Sequence, residues 1–239
     1  MRRLATLVPI LLCVAATAAA QTRVLVDGQS PAPLHSYAET GGLFGDILAD
    51  WGFTVEANED QDLDAVDLGQ YDALVLSVLW SCHGAGYSAG EVAAIADYVA
   101  GGGGLLLLYE TPGFSEDNLE PVSSLYGVTL TDWGTNQITP VIAHPVTANV
   151  DYVNLTGPGS LTVASPSEPA LVDQITRPVV AVHASRRVVT VADVDWVLAG
   201  NAQPRSRALL VNVIRWLAGT PTAVETATSW SAVKALFGD

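Results

Sequence analysis

Apolar residues recur along this chain in short unbroken runs separated by stretches of helical spacing. Val24 to Asp27 (VLVD) reads as a first strand, and Leu43, Ile47 and Leu48 give helical spacing within Tyr37 to Trp51. Phe53 to Glu56 reads as a second strand, and an acidic connector then leads to Tyr71. Ala73 to Val78 has no polar face, as expected of a strand covered on both sides. Ser88 with Glu91 three residues on makes a capping-box pattern, followed by the apolar stripe Val92, Ile95, Ala96 and Val99. Gly101 to Gly104 stop that helix, and Leu105 to Leu108 make a fourth strand. Gly127 to Asp173, rich in Thr, Pro, Ser and Val, reads as short strands and loops on the edge of the same domain. Pro178 to His183 and Arg187 to Ala192 are two further strands with Ser185-Arg186 near the turn, and Ala208 to Leu217 is a closing helix with Leu209, Leu210, Val213 and Leu217 inward. This alternation predicts an α/β fold of three layers, flavodoxin-like, with a mostly parallel sheet and helices on both faces.

The first 20 residues have the pattern of a cleavable export signal. Arg2 and Arg3 precede the apolar run Leu4 to Val14, and Ala18 to Ala20 form a small-residue cleavage site. The expected organisation is a signal peptide over 1–20, an α/β domain over 21–219, a linker over 220–228 and an amphipathic tail over 229–239, in a secreted or periplasmic protein. Cleavage removes Cys13 and leaves Cys82 as the one thiol, so an intramolecular disulfide is excluded.

Charge narrows the partners. The chain has 10 basic and 25 acidic residues; loss of Arg2 and Arg3 leaves eight basic residues and a net charge of −17. No Lys or Arg occurs between Val24 and Thr176, and Lys234 is the only lysine. Nucleic acid and anionic membrane surfaces would be repelled, so neither is expected as a partner, and no membrane insertion is expected after signal cleavage.

Four pieces in order carry a family resemblance: Tyr71 to Leu76; the Ser88 to Leu108 helix–glycine–strand unit; His144-Pro145-Val146-Thr147; and Arg187 to Gly219. Together they resemble the class I glutamine-amidotransferase-like superfamily, in its divergent branches that include the domain of intraflagellar-transport and gliding-motility proteins. The resemblance covers most of Arg23 to Gly219. It implies a cysteine nucleophile on the turn after the fourth strand in catalytic members. Here that turn, Tyr109 to Gly113, has no Cys or Ser, so the resemblance implies a domain without glutaminase chemistry, a binding or scaffold module. Trehalose-utilisation-type relatives of the same superfamily keep a second reading open, a hydrolase or isomerase acting on a small polar or sugar-like ligand.

Candidate chemistry concentrates at strand ends. Asp27, Glu110, Asp193 and Asp195 follow the first, fourth and a late strand, where open α/β sheets place ligands. With His83 or His183 they would make a polar ligand pocket or hold a divalent cation; as plain structural groups they would cap helices and accept hydrogen bonds. No cofactor beyond such a cation is expected. Cys82-His83 would need another histidine, such as His183, to act as a thiol site. Asp60, Asp62 and Asp64 mimic a calcium loop, but Ala65 and Tyr71 stand where Gly and Glu belong. Arg186, Arg187, Arg205 and Arg207 are the one basic concentration, suited to ion pairs with Asp193, Asp195 or the acidic half. His144-Pro145 reads as a turn, and Asn154-Leu155-Thr156 fits a glycosylation sequon. Trp230, Val233, Leu236 and Phe237 form an apolar face on the tail, which either docks on the domain or takes a protein partner.

Overall fold

The computed structural model describes residues 21–28, 42–59, 61–77, 86–113, 118–197 and 204–219. Its elements in chain order are β1 (Arg23–Asp27), α1 (Gly42–Ala49), β2 (Thr54–Asn58), β3 (Ala73–Ser77), α2 (Ala89–Ala100), β4 (Gly104–Leu108), α3 (Glu120–Ser123), β5 (Val128–Trp133), β6 (Gln137–Pro140), β7 (Val153–Asn154), β8 (Gly159–Val163), β9 (Ser167–Asp173), β10 (Pro178–His183), β11 (Val188–Val191) and α4 (Pro204–Leu217). The export signal, Cys82-His83 and the tail with Trp230, Val233 and Phe237 lie outside the described residues.

Nine strands form one sheet in the order β2-β1-β3-β4-β11-β10-β9-β6-β7. The first five are mutually parallel and follow the flavodoxin-like order; from β11 onward each junction is antiparallel. Seven of the nine therefore point the same way, β10 and β6 being reversed. Every residue of β3, β4 and β11 is buried, which is why these strands read as unbroken apolar runs. The α/β architecture expected from the alternation is the one observed.

Local sequence sets the helix ends. Ser88 Oγ accepts the Glu91 amide at 3.2 Å and the Glu91 carboxylate accepts the Ser88 amide at 2.9 Å, so the capping box forms. The other Glu91 oxygen accepts the Leu63 amide at 3.3 Å and ties α2 to the acidic connector. That connector folds as two 3-10 turns, Leu63–Ala65 and Leu68–Gln70, anchored by buried Leu63 and Leu68. Helix α4 begins one turn earlier than its apolar spacing suggests, because Pro204 suits the first helical position. It packs on β4 and β11 so closely that a methyl group on Gly104 would meet the Leu217 carbonyl.

The stretch 127–173 is more regular than its composition indicates. β6, β7 and β9 extend the main sheet, and β5 pairs with β8 in a separate two-stranded ribbon. Pro140 and Pro169 lie inside strands, where they mask the signal. His144 caps the turn Pro145–Thr147, its Nδ1 accepting the Val146 amide at 3.2 Å, and its ring meets Trp216 edge-on at 4.9 Å. Asn212 of α4 donates to the carbonyls of Val146 (3.3 Å) and Ala148 (2.8 Å), clamping that turn to the helix.

Candidate functional site at the carboxyl edge of the sheet

The register of two neighbouring strands brings two acids together. β4 and β11 run in parallel with Leu108 opposite Val191, and the Tyr109 amide donates to the Val191 carbonyl at 2.8 Å. Two residues beyond each strand stand Glu110 and Asp193, side by side. The turn Asp195–Val197 brings in a third: the Asp195 amide donates to Asp193 Oδ1 at 2.6 Å. One oxygen of each of Glu110, Asp193 and Asp195 lies within 4.8 Å of the others.

Burial gives this group its character. Asp193 is fully buried and Glu110 is 7 % exposed. Desolvation first, then the negative charges of Glu110 and Asp195, push the Asp193 carboxyl well above its ordinary range. Glu110 is raised too, chiefly by burial, with Asp195 adding to it. Backbone amides act in the opposite direction: Thr111 donates to Glu110 Oε1 at 2.9 Å, Val194 bonds to the same carboxylate, and Thr156 donates to Asp193 Oδ2 at 3.2 Å. The Gly159 amide closes the roof by donating to the Ala192 carbonyl at 2.6 Å, and a side chain on Gly159 would collide with Leu130. Oxygens around a calcium ion at about 2.4 Å stand no more than about 4.8 Å apart, so the spacing admits a divalent cation as readily as a shared proton.

The other candidates are distributed differently. Asp27 is fully buried, but β3 stands between β1 and β4, so it lies two strands from Glu110, about 10 Å across the sheet. Its carboxylate accepts Asn58 Nδ2 at 3.0 Å and the Tyr87 hydroxyl at 2.8 Å, binding the end of β2 and the approach to α2.

His183 does not join the acids. β10 is antiparallel to β11, and Val182 pairs with Val189, so His183 ends its strand at the amino edge of the parallel strands. It stands level with Leu105, five residues short of Glu110, or about 16 Å along the strand direction. A pocket uniting His183 with Glu110 and Asp27 is thereby ruled out. β3, which leads toward Cys82, ends at the opposite sheet edge from His183.

Of the arginines, Arg205 pairs with the acidic half and Arg186 with a helix end. Arg186 donates to the Ala100 carbonyl at 3.2 Å, and Arg205 binds Asp151 at 2.8 Å while stacking on Tyr152. Arg187 lies against Gly219.

Two contributors escape sequence reading. Thr156 supplies an amide from a loop legible only as a sequon. Tyr109, fully buried, joins its hydroxyl to Ser123 Oγ at 2.6 Å and so fixes the turn to α3. No sequence signal marks that pairing.

No protein-family model and no curated protein matches the sequence. Solved structures do match in fold. The mmIFT52 N-terminal domain superposes with a TM-score of 0.64 at 13% identity, over 82% of this chain and 97% of that one. A ThuA-like protein from Bacteroides uniformis gives 0.60 at 15% identity, over 85% and 94%. A glutamine amidotransferase from Thermotoga maritima gives 0.55 at 10% identity, over 84% and 99%. The chain therefore has the fold shared by glutamine-amidotransferase-like and ThuA-like proteins.

Proposed function

We propose that this protein is an exported binding or scaffold module on a glutamine-amidotransferase-like fold, without acyl-transfer chemistry, working through the carboxyl edge of its sheet. One observation carries the reading: the turn after β4 is filled from within. Acyl transfer at such a turn needs a nucleophile and free amides to hold an oxyanion. Here Tyr109 is buried and bonded to Ser123, and the amides of Thr111 and Val194 are occupied by the carboxylate of Glu110. A carboxylate in that position excludes a second anion. It attracts a cation or a ligand rich in hydrogen-bond donors, and a divalent ion held by Glu110, Asp193 and Asp195 is the cofactor this group suits. Trp230, Val233 and Phe237 of the tail are the proposed partner-binding face.

A second reading rests on the two buried acids. Carboxyl groups whose surroundings raise them serve as proton donors in hydrolases, and the ThuA-like neighbours share this fold. The alternative is then a hydrolase or isomerase of a small polar or sugar-like ligand, acting through Glu110 and Asp193.

Ammonia release from glutamine and turnover of glycoside and ester substrates should stay at background for the mature protein. Titration with calcium or magnesium should raise its melting temperature. Turnover abolished by Glu110→Gln with folding intact would overturn the module and establish the enzyme.

A further inference from the structure

Arg23, Arg177 and Arg205 are each paired with a carboxylate. Arg187 is in no ion pair among the described residues, although it borders a hollow of about 450 Å³ that Asp72 and Asp97 also line. The hollow lies at the amino edge of the parallel strands, away from the group of Glu110, Asp193 and Asp195. Asp72 precedes β3 and stands level with Gly103, and Arg187 precedes β11 and stands level with Gly104. The acid and the base are therefore two strand spacings apart, about 10 Å, with glycines at the start of β4 between them.

Asp72, Asp97 and Arg187 are all exposed, and the surrounding geometry places each at the hollow. Arg187 Nη1, Nη2 and Cζ stand 2.5–2.7 Å from the point a Cβ on Gly219 would occupy. The guanidinium head itself is thereby located next to Ala218, on the rim of the hollow. Asp97 shares with Ala94, Tyr98 and the cap Gly101 the stripe of α2 that lines the hollow, at helical spacings of three and four. Asp72 Oδ2 accepts the Arg23 amide at 2.8 Å, and Oδ1 has no hydrogen-bond partner among the described residues. Burial, and then the Asp72 charge, raises the Tyr98 phenol, which sets Asp72 close to that ring. The ring lies over Gly103, where a side chain would collide with it, and its hydroxyl is spent on the Tyr71 carbonyl at 3.3 Å. Val66, Leu68 and Ala94 supply an apolar wall.

We propose that this hollow binds a small zwitterion, an α-amino acid with an apolar side chain. Its carboxylate meets the Arg187 guanidinium, its ammonium group meets Asp97 and Asp72, and its side chain lies along Val66, Leu68 and Ala94. A ligand of one charge would satisfy one side of the hollow and meet like charge on the other. A zwitterion satisfies both. The site is independent of the cation site proposed at the carboxyl edge.

Calorimetric titration of the full chain with free leucine at neutral pH tests it, with leucinamide, N-acetylleucine and glycine as comparisons. Leucinamide lacks the carboxylate and N-acetylleucine the ammonium group, so each should bind at least about tenfold more weakly than leucine, the cost of a charged hydrogen bond. Glycine keeps both charges but has no apolar body, and it should also lose at least about tenfold. Arg187→Gln should bind leucine and leucinamide alike, and Asp97→Asn should narrow the gap between leucine and N-acetylleucine. Both positions are exposed, so the melting temperatures should hardly move. Should either variant fail to fold, the wild-type comparison series decides alone. No leucine binding up to about 10 mM, or a wild type that binds any comparison compound as tightly as leucine, would overturn the proposal. So would either variant keeping the full wild-type discrimination.

Discussion

Replacing Glu110 by Gln should make the protein more stable at neutral pH, although it removes a buried polar side chain's charge. Oxygens of Glu110 and Asp193 lie within 4.8 Å of each other, with Glu110 7 % exposed and Asp193 fully buried. Two full charges at that distance repel by about 3.5 kcal/mol at an effective dielectric constant of about 20. The protein escapes part of this by keeping a proton, as the raised Asp193 and Glu110 carboxyls indicate. Gln keeps the acceptor for the Thr111 amide and places a donor beside Asp193, so the expected gain is about 2 kcal/mol at pH 8. For a chain of this length that corresponds to roughly 4–8 °C in melting temperature. The sign with pH follows from the folded carboxyls being raised. Their contribution to stability is complete below the unfolded carboxyl range, near about pH 4, and is lost as pH rises through the folded values. Wild-type melting temperature in a chelator should therefore fall from pH 5 to pH 8, and the Glu110→Gln curve should be flatter. Calcium should restore the wild type at pH 8 more than the variant. A flat wild-type profile together with a variant that melts no higher at pH 8 would refute the repulsion argument.

Other consequences can be tested by denaturation. Gly104→Ala should cost about 1–3 kcal/mol, because the new methyl group meets the Leu217 backbone rather than a movable side chain. Asn212→Leu should cost a similar amount by stranding the carbonyls of Val146 and Ala148. Ser88→Ala removes the α2 cap and should cost about 1 kcal/mol, with the first turn of α2 exchanging its amide hydrogens faster. Truncation after Pro221 should leave melting temperature unchanged and abolish partner capture if the tail is the partner-binding face; a large loss of stability would show that it docks on the domain.

The parallel half was legible because its strands are buried on both faces and its helix carries a capping box. β1, β3, β4 and α2 fall where the apolar runs place them, within a residue or two at the ends. The acid group was legible only in part. Strand ends pointed to Glu110, Asp193 and Asp195, yet adjacency depends on sheet order, and the β3 strand between β1 and β4 separates Asp27 from them. His183 is the instructive case. Only four residues separate β10 from β11, too few for a crossover between parallel strands, so antiparallel pairing was already implied. That reversal carries His183 to the far edge. The Tyr109–Ser123 bond and the Thr156 amide had no local signature, since both depend on where distant loops fold back.

The position of β11 bears on how the chain acquires its sheet. It lies between β4 and β10, yet among the described residues it is the last strand in sequence. Until it arrives, the segment ending in β4 and the antiparallel segment ending in β10 each present an open, apolar margin to water, and neither can close on the other. Contacts across this seam link residues more than 80 positions apart, between Leu105 and Val188 for instance, which favours slow completion. A nascent chain stalled before residue 188 would carry two unpaired strand margins, the condition under which partly made α/β proteins aggregate. Ribosome-release or stalled-chain experiments should therefore find protease resistance appearing late and abruptly, after β11 has emerged.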